Sequence, residues 1–173
     1  NVDIPISADA DLVFEVLLNA LNESGNVKRW DEWLEFGNTV ESLVPLKDPS
    51  NQVRPEYIEA FDFVAELSHV LSPGDTVIPC SSGGAYTTMM AGFANKDNQI
   101  MITDKGLASM GYGLSGAIGA ALARPETRTV LVEGDGGFSQ NLSEIGTVVN
   151  NKLNLKMFIF SNGGYASIRI SQK

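Results

Sequence analysis

The sequence predicts an α/β fold, a parallel sheet with helices on both faces, preceded by a short helical segment. Beyond about residue 55, short apolar runs alternate with patterns of helical period, as in domains built from strand–helix–strand units. The runs are apolar almost throughout, which is typical of parallel strands buried on both faces. Fourteen of the 17 glycines lie between Gly83 and Gly164, mostly just after the predicted strands. Ligands bind at those strand ends, and glycine lets the backbone approach them.

The first 45 residues differ in sequence pattern from the rest of the chain. They predict two helices, at 9–22 and 27–43, with Asp9 or Asp11 as the cap of the first. Residues 45–55 are polar and contain proline, so we expect a linker there. We therefore divide the chain into two parts, 1–45 and 46–173.

The second part predicts four helices and four strands in alternation. The helix at 111–123 is rich in small residues and ends before Pro125, and Pro55 suits the first turn of another helix. The predicted helices are 55–71, 85–93, 111–123 and 140–150, and the predicted strands are 76–79, 99–103, 129–132 and 155–161.

The composition narrows the classes of partner. With 12 basic and 21 acidic residues the net charge is −9, which argues against nucleic acid and anionic membrane as partners. No apolar run approaches the roughly 20 residues that span a bilayer, and the opening residues do not resemble a secretory signal. The single cysteine, Cys80, favours a reducing compartment, so we expect a cytoplasmic protein. An anionic ligand must then be held by backbone amides, helix termini or a metal.

Two polar residues are predicted to meet at the carboxyl edge of the sheet. Asp135 and Asn162 each follow an apolar run, and the 25 residues between Gly136 and Asn162 hold one crossover helix and one returning strand. Carboxylate and amide oxygens are ligands that magnesium prefers. The glycines beside Asp135 and a helix beginning near Ser139 would bring amides to a phosphate. The pattern predicts a site for magnesium and a phosphate group.

The spacing of these residues resembles a known family signature. Gly134-Asp135-Gly136, 25 residues and then Asn162 is similar to the thiamine diphosphate signature, in which Gly-Asp-Gly is followed at such a distance by asparagine. Residues 106–120 resemble the preceding segment of acetolactate synthase-like enzymes, and residues 2–21 resemble the tail of their middle domain. The resemblance implies the thiamine diphosphate-binding fold for residues 46–173, C-terminally incomplete. It also implies that residues 1–45 are the tail of a preceding domain and a helical connection.

The resemblance also implies roles for particular residues. Magnesium would be bound by Asp135, the side chain of Asn162 and the backbone carbonyl of Gly164. Met110 would be the apolar wedge that bends the cofactor, an adaptable side chain suited to the angle between two rings. Further cofactor contacts would come from the backbones of Gly136 and Gly137, the amide of Met110 and the carbonyl of Ala108, with Ser82 and Gly83 as a phosphate-binding turn.

An enzyme that acts on 2-oxo acids is the function that the resemblance implies, by decarboxylation or carboligation of the acetolactate synthase type. The cofactor would serve as the electron sink. The glutamate that activates its aminopyrimidine ring would come from the pyrimidine-binding domain of a second subunit in a homodimer or homotetramer. We find no candidate for that glutamate in the sequence, so we expect the chain to be inactive alone.

Other interpretations of the same residues remain open at this point. Residues 111–116 match the G-x-G-x-x-G pattern of a dinucleotide-binding oxidoreductase, but residues 104–110 separate them from the preceding strand, and close helix packing explains the glycines better. A non-catalytic subunit with the same fold has no need of both Asp135 and Asn162. Individually, Asp135 and Ser82 could cap helices, and Met110 and Tyr165 could be packing residues.

Overall fold

The computed structural model describes residues 2–25, 30–44, 55–80, 83–104 and 106–172, and it separates the chain into two compact units, 1–45 and 46–173. Among the described residues, no helix is both long enough and apolar enough to cross a membrane. That the first unit is the tail of a preceding domain, and that the second is incomplete, stay predictions.

The first unit contains two helices, α1 (Ala10–Ser24) and α2 (Asp31–Leu43). Asp9 caps α1, because its Oδ1 accepts a hydrogen bond from the amide of Asp11 at 3.0 Å, and Gly25 ends the helix in the left-handed conformation. Neither helix has a buried residue. The first predicted helix is thus confirmed, and residues 26–29 of the second lie outside the described part of the chain.

The second unit is the predicted parallel α/β domain. Its described strands form one sheet in the order β2-β1-β3-β4, with every neighbouring pair parallel. The elements are α3 (Ala60–Val70), β1 (Thr76–Cys80), α4 (Gly83–Gly92), β2 (Ile100–Met101), α5 (Tyr112–Ala123), β3 (Thr129–Gly134), α6 (Asp135–Phe138), a 3-10 segment (Ser139–Glu144), α7 (Ile145–Asn150), β4 (Leu155–Phe160) and α8 (Ala166–Ser171).

The core of this unit lies on both faces of the sheet. On one face, Ile78 and Leu131 pack with Leu114 of α5. On the other face, a second cluster joins Val64 of α3 and Met89 of α4 to the sheet. Because β1 and β3 are buried along their whole length, they form the rigid centre from which the following loops emerge.

The strand register places two loops side by side. Glu133 of β3 pairs with Ile159 of β4, and Gly134 pairs with Phe160. The residues that follow these pairs, Asp135 and the loop after residue 160, therefore leave the sheet at the same carboxyl edge. This is the edge at which ligands bind in open parallel sheets.

Several predicted element boundaries are wrong. The helix predicted from residue 55 begins at Ala60, because the side chain of Glu59 accepts a hydrogen bond from the amide of Asp62 at 2.8 Å and caps the helix there. The helix predicted at 140–150 is divided into a 3-10 segment and α7, with Asn141 at φ −136° between helical residues. A separate helical turn, α6, already starts at Asp135.

Two other differences concern β4 and the helix that follows it. The strand β4 is predicted to be buried, but in the described sheet it has a neighbour only in β3, and Phe158 is 37% exposed. The short helix α8 is not predicted, because six residues give too little periodicity.

A partly buried ion pair links the amino-terminal ends of the two central strands. Asp75, only 5% exposed, precedes β1 and accepts hydrogen bonds from Nε and Nη2 of Arg128, which precedes β3. The same Oδ2 accepts the amide of Ser72 at 2.8 Å. The amino ends of the two central strands are thereby linked.

We expect the substitution Asp75→Ala to lower the free energy of unfolding by about 1–3 kcal/mol, because the Arg128 guanidinium and a backbone amide lose their acceptor. Urea denaturation measures this. The control is Glu126→Ala, which removes an exposed carboxylate and should change stability by less than about 0.5 kcal/mol. Equal stability of the two variants would show that the pair is unimportant.

Candidate functional site

The carboxylate of Asp135 faces the loop that follows β4. Its Oδ1 accepts a hydrogen bond from the amide of Gly136 at 2.9 Å. Its Oδ2 accepts the amides of Asn162 at 3.1 Å and Gly164 at 2.8 Å. The two segments therefore meet at one edge of the sheet, as the spacing predicts, while the ligand roles of these residues stay predictions.

The hydrogen bonds around Asp135 keep its carboxylate charged. Partial burial acts to raise the pKa of Asp135, but the amides of Gly164, Asn162, Gly136 and Gly163 together outweigh it, so the pKa lies below its ordinary value. A carboxyl group with a lowered pKa stabilises the fold at neutral pH, and this contribution is lost as the pH falls through the lowered pKa. The site thus carries a full negative charge under physiological conditions.

The loop after β4 has an unusual backbone conformation. Gly163, Gly164 and Tyr165 have φ values of 76°, 74° and 50°, so three successive residues lie in the left-handed region. Glycine adopts it freely, whereas a tyrosine in this region is uncommon. The amides on either side of Gly163 consequently point to one acceptor, the Asp135 carboxylate.

Two glycines allow close contacts around the site. A Cβ atom on Gly136 would lie 2.9 Å from a ring carbon of Tyr165 and 3.1 Å from its amide nitrogen. A Cβ atom on Gly83, the first residue of α4, would lie 2.3 Å from Oγ of Ser167. No larger residue fits either position without movement of its neighbours, so α8 and its preceding loop lie directly against the strand ends.

These elements enclose a small cavity. Its volume is about 80 Å³, and it collects residues that follow β1, β3 and β4. The lining residues are Gly83, Gly84, Met110, Gly134, Asp135, Gly136, Gly137, Asn162, Tyr165, Ala166, Ser167 and Ile168. Most of the residues predicted from the sequence as cofactor or metal contacts therefore lie around one cavity, with an acidic group and several glycine backbones.

Met110 reaches this cavity from the loop before α5. It is 42% exposed, and its Sδ lies 3.6 Å from Nε2 of Gln140. Asp104 shapes the loop, because its carboxylate accepts the amide of Ser109 at 2.7 Å and its carbonyl accepts the amide of Ala108 at 2.8 Å. Ala108 has a left-handed φ of 50° and is not among the residues that line the cavity.

The remaining predicted phosphate contact is described only in part. Ser82 lies outside the described residues, and so does Ser81. Gly83 and Gly84 line the cavity at the start of α4, on the turn that follows β1. Cys80 at the end of β1 is buried, and burial together with nearby Asp104 and Glu133 raises the pKa of its thiol to about 12. It is therefore a protonated core residue.

The glycines of residues 111–116, which match the dinucleotide-binding pattern, allow close packing. A Cβ on Gly113 would lie 2.5–2.8 Å from the carboxyl group of Glu133, and one on Gly116 would lie 2.9 Å from the ring of Tyr112. Gly111, with a φ of 90°, forms the cap of α5. These contacts favour the packing interpretation, since side chains already lie against two of the glycines.

The donor groups at the site fit magnesium with a phosphate ligand. Among the described residues, no group of three His, Cys, Asp or Glu side chains is placed to hold a metal ion. The site instead combines a single charged carboxylate, Asp135, with the amide side chain of Asn162 and glycine backbones. Magnesium uses such hard oxygen donors, and it commonly completes its shell with phosphates and water.

Two side chains near the site are not predicted from the sequence. Gln140 bridges Met110 and the hydroxyl of Tyr165, with its Nε2 3.3 Å from that oxygen. Arg169 donates hydrogen bonds to the carbonyls of Gly163 and Asn162. In the sequence they are marked only by position, because each follows a predicted ligand, Asp135 or Asn162, by a few residues.

Comparison with known proteins gives the family. Residues 82–173, more than half of the chain, match the family model of the thiamine pyrophosphate enzyme C-terminal TPP binding domain. The chain belongs to the thiamine pyrophosphate enzyme family. Its cofactor is therefore thiamine diphosphate, as predicted, and the four-stranded parallel sheet agrees with the fold of that domain.

Curated relatives agree with this family. A probable acetolactate synthase large subunit of Methanococcus aeolicus is 27% identical over 94% of this chain and 28% of its own length. A probable acetolactate synthase large subunit of Methanocaldococcus jannaschii is 32% identical over 92% of this chain and 27% of its own length. The putative thiamine pyrophosphate-containing protein YdaP of Bacillus subtilis is 33% identical over 90% of this chain and 24% of its length. The chain thus spans about a quarter of these relatives.

We expect Gly136→Ala to lower the free energy of unfolding by about 1–3 kcal/mol, because the new methyl group would press on both the ring and the backbone of Tyr165. The control is Gly119→Ala in α5, where a Cβ has nothing within 4 Å. That variant should be more stable by roughly 0.5–1 kcal/mol. Thermal or urea unfolding compares them, and a gain of stability in both variants would contradict the close contact at Gly136.

Proposed function

We propose that this chain is the cofactor-binding part of an enzyme that decarboxylates or ligates 2-oxo acids, of the acetolactate synthase type. The observation that carries the proposal is the contact between the Asp135 carboxylate and the amides of Asn162 and Gly164, at the ends of adjacent strands. The names of the relatives that cover most of the chain support the same reaction class.

In the proposed site, Asp135, the side-chain oxygen of Asn162 and the carbonyl of Gly164 would bind magnesium. The charge on Asp135 supports this role, since a metal ligand must be deprotonated. The net charge of −9 argues in the same direction, because a negatively charged protein needs a cation between its own carboxylate and a diphosphate. Gly136 and Gly137, with Ser82 and Gly83, would meet the diphosphate through their backbones.

The other end of the cofactor would lie against Met110. The Met110 side chain lines the cavity, and its Sδ contacts Nε2 of Gln140. An apolar group therefore lies beside the glycine backbones. The amide of Met110 and the carbonyl of Ala108 would bind the aminopyrimidine ring. When bound, thiamine diphosphate supplies the electron sink for loss of carbon dioxide from a 2-oxo acid. The contribution of the chain is to bind and orient the cofactor.

The rest of the proposed active site would come from a second subunit. Its pyrimidine-binding domain would supply the activating glutamate, so the working enzyme would be a homodimer or homotetramer in the cytoplasm, and this chain alone would be inactive. This part of the proposal rests on the resemblance to acetolactate synthase-like enzymes rather than on a contact within the chain.

Isothermal titration calorimetry tests the proposed cofactor site. Wild-type protein should bind thiamine diphosphate in the presence of magnesium, and the substitution Asp135→Ala should abolish this binding because it removes the only charged ligand proposed for the metal. Asp97→Ala is the matched control, because Asp97 is an exposed carboxylate on the turn before β2 and should leave binding unchanged.

The same titrations separate the competing functions. Titration with NADH should give no heat of binding, whereas an oxidoreductase with a dinucleotide at residues 111–116 would bind NADH and ignore magnesium. A non-catalytic subunit would bind neither. Magnesium-dependent binding that survives Asp135→Ala would refute the proposed metal ligand.

A further inference from the structure

Arg169 of α8 lies on the opposite side of the ligand loop from Asp135. Its Nη1 donates a hydrogen bond to the carbonyl of Gly163 at 2.8 Å, and its Nη2 donates to the carbonyl of Asn162 at 3.1 Å. Tyr165 and Arg169 are joined by the first hydrogen bond of α8, at 3.0 Å, so the helix returns the side chain over the preceding loop. Both carbonyls belong to the segment that carries the proposed magnesium ligands.

The peptide unit between Gly163 and Gly164 is held at both ends. Its carbonyl accepts a hydrogen bond from Arg169, and its N–H donates to Oδ2 of Asp135 at 2.8 Å. The preceding peptide unit is held at its carbonyl, since the carbonyl of Asn162 accepts the second hydrogen bond from Arg169. The carbonyls point to the positive group and the amides to the negative one, so both electrostatic contacts are favourable.

This double contact matters because the loop has little other means of keeping its shape. Gly163 and Gly164 are both in the left-handed region, and glycine has the greatest conformational freedom in the absence of restraint. Asn162 and Gly163 are also exposed, so packing restrains them little. A residue that fixes these two peptide planes fixes where the side chain of Asn162 and the carbonyl of Gly164 can point.

We propose that Arg169 is a positioning residue for magnesium, which holds the loop of residues 162–164 in its metal-binding conformation. The inference rests on the proposed function of that loop. Arginine suits the task because its planar guanidinium presents two parallel donors to two successive carbonyls, whereas lysine is a flexible point charge that reaches one acceptor well. Arg169 does not touch the metal or the cofactor and acts only through the loop.

The test uses the full-length protein with three variants. Arg169→Gln removes both the positive charge and the paired donors of the guanidinium, whereas Arg169→Lys keeps only the charge. Lys156→Gln is the control, because it removes an exposed positive charge from β4. Magnesium is titrated by calorimetry at saturating thiamine diphosphate. We expect affinity for magnesium to fall about tenfold in Arg169→Gln, to be intermediate in Arg169→Lys and to be unchanged in Lys156→Gln, since supporting residues around a metal typically contribute at least this much.

A second measurement separates positioning from general stability. Manganese replaces magnesium, and the electron paramagnetic resonance spectrum of the bound ion should be altered in Arg169→Gln but identical to wild type in Lys156→Gln. Thermal unfolding without metal identifies any variant that is simply unfolded. If Arg169→Gln is unfolded, Arg169→Lys decides the question by its magnesium affinity and manganese spectrum.

Wild-type affinity for magnesium and an unaltered manganese spectrum in folded Arg169→Gln would overturn the proposal. If Arg169→Gln is unfolded, the same result in Arg169→Lys would overturn it. Equal weakening in Arg169→Gln and Lys156→Gln would also overturn it, because the effect would then be one of net charge. Failure of the proposed function gives a different result. In that case the wild-type protein itself shows no magnesium-dependent binding of thiamine diphosphate, and Asp135→Ala behaves as wild type.

Discussion

The carboxylate of Asp135, held by backbone amides from a second strand end, is the interaction on which the site depends. It requires β3 and β4 to be parallel neighbours in register, since only then does the loop after Phe160 pass beside residue 135. It requires the left-handed turn at Gly163 and Gly164, which directs the amides inward. The close contact of Gly136 with Tyr165 follows from the same arrangement.

The proposed site also suits an anionic cofactor bound by an acidic protein. Lysine and arginine side chains are few in this chain. Among the residues that the structure describes, Arg169 lies beside the site, and its guanidinium donates hydrogen bonds to loop carbonyls. The cavity offers glycine backbones and a single carboxylate, whose lowered pKa keeps it ionised. In the proposed site a divalent cation would resolve the conflict, because it would attract the carboxylate and the diphosphate together. The chemistry of the donors thus agrees with the family's cofactor.

The central features of the fold and the site follow from short-range sequence signals. Buried parallel strands read as continuous apolar runs, and Gly-Asp-Gly with a spaced Asn162 marks two neighbouring strand ends. Other features depend on contacts that sequence does not encode locally. The break near Asn141 arises where Nδ2 of that residue bonds to the hydroxyl of Ser115 in α5, which overrides helix propensity. The contacts of Arg169 depend on a six-residue helix too short to show a period.

A crystal structure of the protein with thiamine diphosphate and manganese, a magnesium substitute with anomalous scattering, tests the central claim most directly. One anomalous peak is expected about 2.0–2.3 Å from a carboxylate oxygen of Asp135 and from the side-chain oxygen of Asn162. An ion bound elsewhere, or an Asn162 side chain that points away from an ion bound at Asp135, would contradict the proposed metal site.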